Sequence, residues 1–358
     1  MDLLLSEEQR MLRESASRFL AGAGGAKRLR RLRETEHGFD RGVLREMAGE
    51  GWLGVLVPAD RGGLGLGMTE AALLLEQAGR TLAPEPVGAS MMAAAALAAC
   101  EGNDALLARA VSGDALVIPA VDAVEGAGEV RAARTAEGAT VLEGSRLGVP
   151  AAAAADSMLV AASGPDGPVL CLVEAGAKGL GIETRRTVDG ASFGDVAFDG
   201  VAAAPLAARQ NRGFGRPGSL RDGLLVAVSA ELLGAMDAAL EMTLEYLRTR
   251  EQFGRPLGAF QALQHRAVDD FTRIVGTRSL LFRVAGGEGD IAPAMAAALK
   301  AHASESALRV TKSAIQMHGA IAFTDEHDAG LHLKRAMTLS AWLGNAAAQR
   351  ERYAEAML

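Results

Sequence analysis

Between Leu244 and Arg266 the chain reads LEYLRTREQFGRPLGAFQALQHR, and this stretch restricts the fold more than any other. Before it, Val228, Leu232, Met236, Leu240, Leu244 and Leu247 recur every three or four residues, the period of one buried helix face. Gly254 and Pro256 stop that pattern, and a second helical one restarts at Phe260. Arg250-Glu251-Gln252-Phe253-Gly254-Arg255-Pro256 is therefore a charged, aromatic elbow between two helices. A guanidinium has the fork that fits a pair of phosphate oxygens, and a phenylalanine beside it can cover a flat ring. The plainer alternative is a helix hairpin with a capped turn.

The rest of the chain sorts around this elbow by texture. Residues 3–20 carry an amphipathic pattern with Ser6 as N-cap and Glu7 and Glu8 in the first turn. Lys27 to Arg33 is a basic run with interleaved leucines, read as a solvated helix face. Helical patterns continue over 43–50, 69–81 and 89–111. Near Gly113 the texture changes to short β-like runs at 115–121, 139–142, 157–162, 169–173 and 193–198, with Pro165-Asp166-Gly167 as a hairpin turn. Helix returns near Ser219, after a linker at 213–218, and continues over 261–284 and 293–316 to the C-terminus. The expected organisation is α+β: an N-terminal helical domain (1–112), a middle β domain (113–212) and a C-terminal four-helix bundle (213–358).

Composition narrows the partners. Across 358 residues the net charge is −7, which argues against nucleic acid. Cys100 and Cys171 sit in apolar contexts without metal-ligand spacing, so no metal site and no disulfide staple is expected. The acidic N-terminus lacks the basic start of a signal peptide. No uninterrupted apolar run reaches the ~20 residues of a membrane span. A cytoplasmic protein is the expectation. The glycines at 62, 63, 65 and 67 lack the strand and the Lys-Ser/Thr of a phosphate loop, and a tight inter-helix turn is the better reading.

The elbow, Arg250-x-Gln252-Phe253-Gly254-x-Pro256 followed by Phe260-Gln261, resembles the signature of the flavin-dependent acyl-CoA dehydrogenase family. Gly51-Trp52-Leu53-Gly54 leading through Pro58 to Gly62-Gly63-Leu64-Gly65 resembles the same family's N-terminal segment. Gln316-Met317-His318-Gly319-Ala320 is similar to its Gln-x-x-Gly-Gly-x-Gly stretch, with Ala320 and Ala322 where glycine is usual. The resemblance implies a helical–β–helical fold assembled as a dimer of dimers, and FAD as cofactor. It also implies α,β-dehydrogenation of an acyl-CoA, as in fatty acid or lipid catabolism, with electrons passed to an electron-transfer flavoprotein. It gives Arg250 to the FAD pyrophosphate across a subunit boundary and lays Phe253 against the cofactor. Gln261, Gln316 and the backbone of Met317, His318, Gly319 and Ala320 would bond to it or lie along its adenosine half. Taken singly, these are a surface arginine, a core phenylalanine and helix-end glutamines.

The resemblance also leaves the catalytic residue unknown. The family's base is a glutamate in a Tyr-Glu-Gly-Thr context, which alignment places at Gly344, or one on the helix before the elbow, at Leu224. Asp222 would face elsewhere, and Glu231 lies two turns along, with a carboxylate paired across the bundle as its simpler reading. Pro119 to Gly128 keeps only a trace of the loop that contacts the flavin ring. This pattern, like the run from His318 to Asp328, resembles the partner subunits of heteromeric members. Three functions follow as expectations: a complete dehydrogenase, a subunit completing the FAD site of a related catalytic chain, or a cofactor-free structural homologue. His327, Asp328 and His332 are read as a capped loop, not a metal cluster.

Overall fold

The computed structural model describes residues 5–121, 129–209, 213–287 and 289–358. Leu4 and the Asp122–Gly128 stretch compared above with the flavin loop lie outside them. Helices α1 (Glu7–Gly22), α2 (Gly25–Leu32), α3 (Arg41–Gly49), α4 (Met68–Arg80), α5 (Val87–Ala98) and α6 (Asp104–Val111) come first. Ser6 and Gln9 form a reciprocal capping box that starts α1. The single pattern read over 89–111 is two helices, because Gly102 takes a left-handed φ of 73° and breaks it. Every residue of α5 is buried, so its alanine-rich sequence carries no polar face.

Strands β1 (Val117–Ala120), β2 (Val130–Arg134), β3 (Thr140–Pro150), β4 (Ser157–Gly164), β5 (Gly167–Glu174), β6 (Leu180–Arg186), β7 (Ser192–Ala202) and β8 (Ala204–Leu206) form one sheet. The order β6-β7-β3-β2-β4-β5-β8 is mostly antiparallel, and β1 adds parallel to β4. The expected hairpin joins β4 to β5, with Gly164 facing Gly167 across the turn.

The last part holds α7 (Pro217–Thr249), α8 (Gln261–Ala285), α9 (Pro293–His318), α10 (Ala329–Ala341) and α11 (Ala346–Met357). The α+β arrangement of helices, sheet and helical bundle is the one expected. α7 is, by length and mean hydropathy, apolar enough to cross a membrane, although its sequence holds no uninterrupted apolar run of that length; 83% of its apolar window is buried within the fold. Against it α4 packs backbone to backbone. A Cβ at Gly234 would come within 1.9 Å of Glu76 O, and one at Gly79 within 2.1 Å of Glu231 O, so both positions require glycine.

The three layers meet at one polar knot. Asp189, in the β6–β7 connection, accepts from Arg335 Nε of α10 at 2.7 Å and from Thr338 Oγ1 at 2.8 Å. Arg335 Nη1 also donates to Ala83 O, beyond α4, at 2.9 Å. All of this is buried. The basic run is not simply a solvated face. Arg28 is buried in a bidentate pair with Glu85 at 2.5 and 2.9 Å, because α2 lies against the segment joining α4 to α5. Arg30 and Arg33 reach the bundle at Asp328 and Asp325.

Candidate functional site

The elbow forms at the C-terminal end of α7. Arg250 caps that helix in extended conformation, exposed, and its carbonyl accepts from Leu257 N–H at 2.8 Å. Glu251-Gln252 pairs antiparallel with Arg255-Pro256, leaving Phe253-Gly254 as a two-residue turn. Both turn residues have positive φ, 54° and 78°, the geometry of a type I′ hairpin. Glycine meets that demand at no cost; phenylalanine does not. Phe253 is nevertheless there and is 87% exposed, touching Phe260 edge-on at 6.1 Å. A strained aromatic held largely out into solvent is an outlier of the kind that clusters at functional sites. Arg255 stacks over the Phe260 ring at 4.1 Å, which stiffens the base of the turn. Gln261 is the exposed first residue of α8, whose N-terminus has no side-chain cap. Its free N–H groups therefore favour an anion.

At the end of α9, Gln316 is exposed while Met317 and His318 are buried. The His318 ring lies 4.6 Å from Tyr246 of α7 and 4.4 Å from His327, and its Nδ1 is 2.8 Å from Ala314 O. The stack on Tyr246, four residues before Arg250, joins this segment to the helix that carries the elbow. Gly319 ends the helix at φ 70°, with open space where a Cβ would stand. Ala320 and Ala322 take ordinary φ in the 3-10 turn that follows, Gly319–Phe323. Ala322 is buried against Ile315 and Ala329, so only the Ala320 methyl reaches the open face. Phe323, 82% exposed, closes the turn.

A second feature lies where the three layers meet, in a cavity of about 60 Å³. Phe39, Pro86, Phe193, Leu339 and Trp342 line it together with three acids, Glu85, Asp189 and, on α7, Glu231; Glu85 is paired with Arg28 and Asp189 with Arg335. Trp342 packs edge-on against Phe193 at 5.8 Å. The expected cross-bundle pairing of Glu231 is not found: among the described residues no donor reaches its carboxyl, since Arg335 is committed to Asp189 and Ala83. Burial pushes its pKa up to about 7, with Arg335 opposing and Asp189 adding to the shift. Asp222 is committed elsewhere, to Arg352 of α11 at 2.6 Å. His327 Nδ1 accepts from Ala329 N–H and Asp328 pairs with Arg30, so that loop is a cap. Among the described residues no group of three or more metal-ligating side chains occurs.

Comparison with known proteins decides the family. The acyl-CoA dehydrogenase N-terminal domain matches residues 6–113 and the acyl-CoA dehydrogenase C-terminal domain matches residues 224–358. Acyl-CoA dehydrogenase FadE27 of Mycobacterium tuberculosis is 32% identical over 340 residues, covering 90% of each chain. This chain belongs to the acyl-CoA dehydrogenase family. Two solved relatives are parts of two-component proteins. One is a variant of the Tcur3481-Tcur3483 steroid acyl-CoA dehydrogenase, with a TM-score of 0.91, 32% identity and 98% of both chains covered. The other is the ChsE4-ChsE5 complex of Mycobacterium tuberculosis, with a TM-score of 0.89, 30% identity and coverage of 100% of this chain and 99% of that one.

A match on the motif's glycine gives a second register for the base position. Gly344 takes φ 89° and precedes Asn345, whose Oδ1 caps α11 by accepting from Ala347 and Ala348. Matched glycine to glycine, Tyr-Glu-Gly-Thr falls on Trp342-Leu343-Gly344-Asn345. On that match the glutamate position falls on Leu343, next to the Gly344 of the expected register. Leu343 is fully buried, at a left-handed φ of 62° that leucine rarely adopts. Gln349 Nε2 holds its carbonyl at 2.5 Å, and the buried Lys300 Nζ donates to Gly344 O and Ser340 O, both at 3.2 Å. The alternative position, Leu224, is also fully buried, one residue from Gly223, on which Met92 packs so closely that a Cβ would meet it at 2.2 Å. Both positions thus hold leucines inside continuous core.

Proposed function

We propose that this chain is the subunit of a two-component acyl-CoA dehydrogenase that completes an FAD site whose catalytic glutamate is on a related chain. The observation that carries this reading is the contrast between two sites. The elbow is built out at some conformational cost and lies open on the surface, whereas both base positions are leucines sealed in the core. A single chain offers Arg250, Phe253, Gln261, Gln316 and the Gly319-Ala320 turn with no opposing wall, which fits a cofactor enclosed between two subunits. The membership of two close structural relatives in two-component proteins supports the same arrangement.

The residues present fit FAD. Arg250 would fork onto the pyrophosphate, helped by the uncapped N-terminus of α8. Phe253 would cover the cofactor, Gln261 and Gln316 would bond to its polar edge, and Gly319 would let backbone approach the adenosine half. When bound, FAD supplies the hydride acceptor for oxidation of an acyl-CoA to its 2-enoyl-CoA, and an electron-transfer flavoprotein would take the electrons onward. This chain's part is to bind and orient; the proton from the α-carbon goes to the partner's carboxylate.

A complete enzyme is the second reading, and Glu231 is the observation that favours it: an unpaired carboxyl with its pKa near neutrality, in a cavity beside Trp342. A visible spectrum separates the two. Expressed alone, the chain is expected to carry no flavin that bleaches with short, long or branched acyl-CoAs. Co-expressed with a homologue from the same genome that keeps the Tyr-Glu-Gly-Thr glutamate, it is expected to give a yellow complex that bleaches. In that complex Arg250→Ala should weaken FAD retention by about 10- to 100-fold, the value of a charge-assisted bond to phosphate. Bleaching by the chain alone, abolished by Glu231→Gln, would overturn the subunit reading.

A further inference from the structure

The Gly319–Phe323 turn is fastened at both ends, and the fastening at its exit comes from the far end of the sequence. At its entrance, His318 is wedged between Tyr246 and His327. At its exit, Arg33 of the segment ending α2 makes a two-bond fork to Asp325, Nη1 to Oδ1 at 2.9 Å and Nη2 to Oδ2 at 2.8 Å. Arg30, one turn earlier, donates from Nε to the Asp325 carbonyl at 2.8 Å and pairs through Nη1 with Asp328 at 2.7 Å. The two arginines thus grip the loop from Asp325 to Asp328 by side chain and backbone together. The fork holds the Asp325 carboxyl below the usual carboxylate range and the Arg33 guanidinium above its own.

An isolated exposed ion pair contributes little, but a network with fork geometry on a loop fixes that loop's position. Phe323 and the exposed Ala320 stand within a few residues of the grip, on the segment argued above to face a cofactor. We propose that Arg30 and Arg33 are positioning residues for the Gly319–Phe323 turn, so that the N-terminal helix α2 sets how this turn meets the shared FAD. The link to FAD rests on the two-component reading; the grip itself does not.

The test runs in two stages so that the two can fail separately. In the first, amide hydrogen exchange is measured on the full chain alone. The Arg30→Ala/Arg33→Ala double variant is expected to exchange about three- to tenfold faster across residues 319–328, a factor that two half-exposed pairs can supply, with α7 unchanged. Exchanging the charges, Arg33→Asp with Asp325→Arg, should restore protection, which a merely misfolded variant would not do. Unchanged exchange across 319–328 would overturn the grip. In the second stage, FAD release is timed from the complex with the catalytic chain. The double variant should release FAD faster by a similar factor. Added salt should bring the wild-type rate towards it, since these pairs are screened. Equal release rates would overturn the positioning role. A wild-type complex without FAD would overturn the two-component reading, while the exchange result would still decide the grip.

Discussion

Replacing Arg335 by methionine should lower the unfolding free energy by about 3–5 kcal/mol, the range for breaking a buried ion pair from one side. The arginine donates to Asp189 in the sheet and to the Ala83 carbonyl beside α4, from its own place on α10. Its removal leaves the Asp189 carboxylate, with 1% of its side chain exposed, facing the Thr338 and Thr187 hydroxyls and a long bond from Ala191 N–H at 3.4 Å. An acid buried with uncharged donors alone must either stay charged at high cost or take up a proton. Urea unfolding at neutral pH checks this, and the double variant Arg335→Met with Asp189→Asn should recover a large part of the loss, because it leaves no uncompensated charge. A single variant as stable as wild type would mean that the layers are held by apolar contact alone, and the knot would lose its assigned role.

This knot also shows what the sequence could and could not disclose. The elbow was legible because its signal is local: two helical patterns stop and restart around seven residues of unusual chemistry. The buried strands were legible as apolar runs. β6 was not, because six of its seven residues are exposed and its sequence, LGIETRR, has no alternation to read. β2 escaped for a similar reason, as its two inward positions are separated by arginine and followed by exposed residues. Asp189 and Arg335 are 146 residues apart, and nothing in either neighbourhood announces the other. Arg28 misled in the opposite direction, since a basic run reads as a solvated face until the single buried partner, Glu85, is placed beside it.

At pH 8 the Glu231→Gln variant should be more stable than wild type by about 3 kcal/mol, and the gap should close as the pH falls towards 5. The sign follows from the direction of the shift. Burial raises the folded-state pKa from an ordinary 4.5 to about 7, so the folded chain holds a proton that the unfolded chain has already released. The favourable contribution is complete below the unfolded value and is lost as pH rises through the folded one. A glutamine cannot ionise and keeps its stability across that interval. Unfolding free energies of both proteins at pH 5, 6, 7 and 8 check this; parallel curves would mean that the carboxyl is ionised throughout and has found a donor. The outcome bears on function as well as stability. Gly88 leaves 2.9 Å between a would-be Cβ and Glu231 Oε1, so the helix opposite is shaped around this carboxyl. A group that destabilises the fold at neutral pH and is given room by a facing glycine is a liability that glutamine would remove with almost no change in shape. If glutamine brings the expected stability and acyl-CoA bleaching in the two-component complex is unaffected, Glu231 takes no part in that chemistry. If bleaching is lost together with the pH dependence, the proton on Glu231 belongs to the reaction, and the second reading of this chain displaces the first.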